Sequence, residues 1–101
     1  MDKTSAVRDN PAAHRFELDV DGALAVAVYR VDGDTMIFTH TEVPARLQGR
    51  GIGSRLVRGA LDAARARGLR VLPLCSFVAD YISRHPEVQD LADSASVRRR
   101  S

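Results

Sequence analysis

The sequence predicts an α/β (α+β) domain: an antiparallel β-meander, then a long crossover helix, a parallel strand and a short C-terminal helix. Two turns of Asp-Gly type, at Asp21-Gly22 and Asp32-Gly33-Asp34, separate three β-rich runs, and such turns accept the positive φ that tight hairpins need. The next segment carries Leu56, Val57, Ala60, Leu61 and Ala64 along one stripe, the period of a helix with one buried face. A β-rich run follows it. A strand, a helix and a second strand make a crossover whose two strands lie side by side and parallel. A chain of 101 residues has room for one such core and for no separate cofactor domain.

Residues 1–13 are polar and contain Pro11, which reads as a mobile lead-in. From His14 the run HRFELDV alternates Phe16, Leu18 and Val20 with Arg15, Glu17 and Asp19, so one face is buried and the other polar. ALAVAVYRV is apolar at nearly every position and suits a central strand covered on both faces. TMIFTHTEV is the third strand, closed by Pro44, which has no N–H for a ladder. Within it His40 alternates in register with Met36 and Phe38, which points its side chain inward. The helix begins near Ile52 and runs to Arg67, with Gly68 as its stop. LRVLPLCSF is the fourth strand, and Pro73 within it marks loosened pairing. VADYISRH gives two helical turns with Val78, Tyr81 and Ile82 inward, and Pro86 starts a further short turn. Residues 14–91 thus form the domain and 92–101 a basic, flexible tail.

Between the third strand and the helix, EVPARLQGRGIGS (Glu42 to Ser54) spaces Gly49, Gly51 and Gly53 just where the helix starts. Unpaired N–H groups and the positive end of the helix dipole make such a turn an anion site suited to phosphate. Arg46, Arg50, Arg55 and Arg58 surround it, and Asp62 is the first acid after Glu42. A Walker loop requires GxxxxGK[ST] and is absent. A dinucleotide fingerprint would place Gly49 and Gly51 but meets Ser54 at its third glycine, with no acid about twenty residues on. The pattern that remains is QxxGxG, filled by Gln48, Gly51 and Gly53.

This loop resembles the pyrophosphate-binding loop of the GNAT superfamily of N-acetyltransferases, and the order of elements over residues 14–91 is similar to a minimal GNAT fold. THTEVP (Thr39 to Pro44), QGRGIGSRL (Gln48 to Leu56) and LPLCSFVADYISRHPE (Leu72 to Glu87) look like the small stand-alone GNAT-like family. The resemblance implies transfer of an acetyl group from acetyl-CoA to an amine. It implies coenzyme A held by Gln48, Gly49, Arg50, Gly51, Ile52, Gly53 and Ser54, with backbone pairing around Glu42 and Val43, and chemistry at His40 and Cys75. Larger GNAT enzymes have an N-terminal helical region that helps to form the acceptor site. This chain has no room for one, so the acceptor stays open between a small-molecule and a protein amine.

Amine acetylation needs an unprotonated nucleophile, a thioester carbonyl held close and a donor for the oxyanion. His40 is the strand-borne histidine beside the loop and has a side chain able to accept the amine proton near neutral pH. Transfer is either direct to the amine or by way of a Cys75 thioester, with His40 and Cys75 as a base–nucleophile pair. Each residue also has a plain reading: Cys75 as a small core hydrophobe, His40 as a hydrogen-bonded inward side chain, and Tyr81 as core rather than as an acid toward the CoA thiolate. The whole domain has one too, as a non-catalytic acyl-CoA-binding or protein-interaction module.

Composition narrows the remaining classes. One cysteine rules out an internal disulfide, and three scattered histidines give no metal-ligand spacing. The net charge is +2, and removing Arg98, Arg99 and Arg100 alone brings it to −1, so the body is near neutral and nucleic-acid binding is not expected. No apolar run reaches a membrane span and MDKTSAVRDN has no signal-peptide core, which predicts a cytoplasmic protein, monomeric or weakly dimeric.

Overall fold

The computed structural model describes residues 6–92. Its sheet has five strands in sequence order: β1 (Arg8–Asn10), β2 (Arg15–Val20), β3 (Ala23–Asp32), β4 (Thr35–Glu42) and β5 (Arg70–Pro73). The first four are antiparallel to their neighbours, and β4 and β5 are parallel, joined by the helix α1 (Ile52–Ala66). A second helix, α2 (Ser76–Arg84), follows β5, and residues 86–92 are again helical. This is the meander, crossover helix and parallel strand that the sequence predicts. Residues 93–101 of the expected basic tail lie outside the described residues.

The meander turns as its residues dictate. Asp21 and Gly22 both have positive φ, 53° and 83°, the pairing that matches a two-residue turn to the twist of its strands. The Gly22 N–H also donates to Asp19 Oδ1 at 3.0 Å. One face of the sheet carries Phe16, Leu18, Ala27, Tyr29, Met36 and Phe38. Against it pack Leu56, Val57, Ala60, Leu61 and Ala64 of α1 and Val78, Tyr81 and Ile82 of α2, so both helices cover a single core.

The expected mobile lead-in is in part a strand. Residues 8–10 pair with β2 through Arg8↔Glu17, Asp9↔Phe16 and Asn10↔Arg15, and Pro11–Ala13 form a 3₁₀ turn capped by the Asn10 side chain. Tyr29 donates its hydroxyl to Asp9 Oδ1 at 2.6 Å, fastening the edge strand to the centre of the sheet. A Cβ on Gly59 would stand 2.6 Å from Val7 Cβ, so the glycine lets this segment lie against α1. Apart from the lone Val7, these ties are polar or are made by backbone, so no apolar pattern announces them.

On the other sheet face Glu17 is 3% exposed. Its carboxylate meets Arg8 at 2.9 Å, Arg15 at 2.7 Å and the Asn10 amide at 3.0 Å. The hydrogen bond from Arg15, then that from Asn10, lowers its pKa below the ordinary carboxylate value despite burial. A depressed folded-state pKa stabilises fully above the unfolded value and is lost as pH falls through the folded one. Glu17→Gln is therefore expected to lower Tm at pH 7 and to flatten its decline as pH falls through ~4.3, where an ordinary Glu is half protonated. Thermal melts across pH check this, and an unchanged Tm at pH 7 would contradict it.

Two corrections bear on the site. The fourth strand is shorter than its β-rich run: pairing with β4 stops at Phe38↔Pro73, Cys75 becomes the N-cap of α2, and Ser76 and Phe77 are helical. Proline lacks the N–H that would continue the ladder. The Leu74 and Cys75 N–H groups instead both donate to the Phe38 carbonyl at 3.0 Å. His40 is not inward. Opposite β4, Val28 pairs with His40 and the adjacent Tyr29 with Phe38, so Thr39 is an extra residue, a bulge. It shifts the alternation by one and turns the His40 side chain away from the core face of Met36 and Phe38, leaving it 60% exposed.

Candidate functional site

Beyond Phe38, β4 keeps β3 as its partner on one edge, through Val28↔His40, Ala27↔Thr41 and Val26↔Glu42. On its other edge the β5 ladder has ended. Two adjacent strands thus part over Thr39–Glu42, and one row of backbone groups of β4 opens to a ligand, the condition for strand-like pairing with an extended chain.

The chain then passes Pro44 and turns through Ala45–Leu47 in a 3₁₀ turn. Leu47 is fully buried and pins this turn to the core. Gln48 donates from Nε2 to the Val43 carbonyl at 3.2 Å, closing the loop onto the end of β4. Gly51, at φ 75°, is the N-cap of α1, a conformation that L side chains adopt at a cost. Its carbonyl accepts the first helical bond, from Arg55 N–H at 3.1 Å. The amides of Ile52, Gly53 and Ser54 precede that bond and have no i−4 acceptor. No side chain caps them and no acid stands in the first turn, so the dipole and the amides present an uncompensated positive end.

A cleft of about 440 Å³ lies over this helix start. Seven positions expected to hold the cofactor line it: Val43, Gln48, Gly49, Gly51, Ile52, Gly53 and Ser54. Thr41, Leu47 and Phe77 complete the wall. Glu42 and Arg50 are exposed outside it. Nor do all the surrounding arginines face the loop: Arg46 donates to the Asp21 carbonyl at 3.1 Å, and Arg58 binds Glu87 at 2.7 Å and the Tyr81 hydroxyl at 3.3 Å.

Phe77 was not legible as a site residue, because the sequence places it at the end of a strand. In the fold its ring lies against the first turn of α1, where a Cβ on Gly53 would come within 2.5 Å of Cζ. Thr41, part of THTEVP, is a further wall residue that no sequence signal marks. Its hydroxyl is 3.3 Å from Cys75 Sγ.

His40 and Cys75 are not brought together. His40 and Thr41 are successive residues of β4, so their side chains leave opposite faces, and the thiol meets Thr41. His40 Nε2 lies 3.5 Å from Glu42 Oε2 on the outer face. Burial raises the pKa of the half-buried Cys75 thiol, but the Thr41 hydroxyl and the amides of Val78 and Phe77 outweigh it, and the pKa falls below the ordinary thiol value. The first amides of α2 thus do for sulfur what those of α1 offer an anion. Tyr81 is buried, its hydroxyl takes a bond from Arg58, and its ring stacks on His85 at 3.8 Å. It does not line the large cleft. Among the described residues no three His, Cys, Asp or Glu side chains converge as a metal site, and no helix is long and apolar enough to cross a membrane.

Residues 15–91 match the family of GCN5-related N-acetyltransferases. The chain belongs to that family. A protein called NATD1 from Xenopus tropicalis is 30% identical over 96 residues, which span 90% of this chain and 88% of that one. NATD1 of Homo sapiens is 34% identical over 68 residues, covering 66% of this chain and 60% of the human protein. The solution structure of a GCN5-like protein from Staphylococcus aureus superposes with a TM-score of 0.67 at 28% identity, over 85% of each chain. The matched residues include both the Gln48–Gly53 turn and the parallel pair β4 and β5.

Proposed function

We propose that the protein is a cytoplasmic, acetyl-CoA-dependent N-acetyltransferase acting on a small-molecule or protein amine. The observation that carries this reading is the uncapped start of α1, opening into a cleft continuous with Thr41 at the unpaired edge of β4. The fit to coenzyme A is chemical. Three amides with no helical acceptor and no acid in the first turn suit a diphosphate, and a free strand edge suits the amides of a pantetheine arm. Gly53 and Phe77 lie against each other in the cleft wall. Bound acetyl-CoA supplies an activated acyl group.

The chain's own residues then hold protons and charge. Cys75, half-buried at the head of α2 with its thiol 3.3 Å from the Thr41 hydroxyl of the cleft wall, is the candidate nucleophile. His40, exposed on the far face of β4, is the base available to an amine arriving from outside. Direct transfer needs only His40, while a relay needs Cys75. Thermal shift with coenzyme A and intact-mass analysis after incubation with acetyl-CoA test the reading. Binding raises Tm by mass action, and no shift at saturating coenzyme A would sink it.

His40→Ala and Cys75→Ala are each expected to keep coenzyme A affinity. If the route is direct, His40→Ala loses about 10²–10⁴ in turnover, the usual worth of a general base, and Cys75→Ala does not. If it is a relay, Cys75→Ala abolishes turnover and the wild type gains an acetyl mass on Cys75. A domain that binds coenzyme A yet shows turnover with no amine is the non-catalytic module.

A further inference from the structure

Next to the large cleft is a second cavity of about 130 Å³, lined by Ser54, Phe77, Asp80, Tyr81, Arg84 and His85. The two cavities share Ser54 and Phe77, so a ligand seated on the first amides of α1 has the second cavity one residue away. It lies between α1 and α2, whereas the large cleft leads through Thr41 to the free edge of β4. We infer that this second cavity receives the 3′-phosphate of coenzyme A, and that Arg84 makes the protein prefer coenzyme A to dephospho-coenzyme A.

The inference rests on the acetyl-CoA reading above. In that ligand the diphosphate joins two unlike ends, a pantetheine arm and a 3′-phosphorylated adenosine. With the arm directed to the strand edge, the nucleoside end is left for the other side of the diphosphate seat. The groups there suit it. Phe77 is 41% exposed and presents an aromatic ring at the seam of the two cavities, a surface on which a purine stacks.

Arg84 is permanently cationic and forks toward oxyanions. Its partner is Asp80, 3.2 Å from Nε, an exposed i,i+4 pair, and such pairs are weak enough to yield to a phosphate. His85 is locked in place by two contacts. Its Nδ1 donates to the Tyr81 carbonyl at 2.7 Å, since a carbonyl only accepts, and its ring stacks on Tyr81 at 3.8 Å. Nε2 is then the nitrogen left to meet a ligand. Asp80 opposes the anion and is the one acid of the cavity, so it sets the opposite sign in a test.

Titration calorimetry with coenzyme A and with dephospho-coenzyme A at low salt decides the matter. The wild type is expected to bind coenzyme A about tenfold more tightly, the scale of one charge-assisted contact at an exposed site. Arg84→Gln should bring coenzyme A down to the dephospho level and leave dephospho-coenzyme A unchanged, which also shows that the variant folds. Asp80→Asn should widen the preference. Raised salt should narrow it. Equal affinity of the wild type for both ligands overturns the inference and leaves the acetyl-CoA reading standing, as does an Arg84→Gln variant that loses both ligands alike. If neither ligand binds the wild type, the acetyl-CoA reading falls and this inference with it.

Discussion

Phe38→Ala is expected to destabilise the domain by about 3–5 kcal/mol, the usual cost of truncating a fully buried aromatic. Phe38 is 1% exposed, and its ring lies 6.3 Å from each of those of Phe16 and Tyr29. Losing it opens a cavity at the junction of three strands. For a domain of this size each kcal/mol moves Tm by roughly 4–8 °C, so the variant should melt far below the wild type. The same residue marks the point where β4 and β5 part, and its carbonyl holds the amides of Leu74 and Cys75 at 3.0 Å. Relaxation around the cavity shifts that carbonyl, and with it the start of α2 and Cys75. Coenzyme A affinity, measured well below the variant's Tm, should fall as well. Chemical denaturation is the check, with Val31→Ala as a reference at a position 42% exposed, expected within about 0.5 kcal/mol of wild type. A loss at Phe38 no larger than the reference would show that the ring does not hold the junction.

The fold was legible wherever a short-range chemical requirement had one solution. Asp21-Gly22 could turn tightly only with positive φ, and the stripe from Leu56 to Ala64 could be buried only as a helix. A crossover between two β-rich runs left parallel pairing as the outcome. The glycine loop was legible for the same reason, since an uncapped helix start needs bare backbone. What was not legible depended on a partner far along the chain. The bulge at Thr39 exists only in the pairing of β4 with β3, and the alternation of Met36, Phe38 and His40 carries no mark of it. That single extra residue moved His40 to the outer face and gave Thr41 its place beside Cys75. β1 is polar, and Asp9 and Asn10 become structural only once Tyr29 and Glu17 are opposite them. Phe77 read as strand because its apolar neighbours do. Its role follows from a missing Cβ at Gly53, a residue 24 positions earlier in the chain.

That missing Cβ yields the sharpest test of the cleft. Gly53 sits inside α1 with no positive φ, so nothing in its backbone requires glycine, and alanine would favour the helix by about 1 kcal/mol. The reason for glycine lies in space. A Cβ would stand 2.5 Å from Phe77 Cζ and 3.1 Å and 3.2 Å from its neighbours in the ring. Those atoms are the far end of a half-exposed side chain, so the ring can swing aside without breaking the core. Gly53→Val is therefore expected to change stability by no more than about 1 kcal/mol while weakening coenzyme A at least tenfold, ~1.4 kcal/mol. Two causes could produce that loss, the displaced ring or the valine side chain blocking the approach of a phosphate to the amides. A double-mutant cycle separates them. If the ring is responsible, valine costs little affinity once Phe77→Ala has removed the obstacle. If the full loss persists in that background, Gly53 serves the close approach of the ligand to the backbone instead. A Gly53→Val protein that binds coenzyme A like the wild type would show that the ligand does not lie over the first turn of α1.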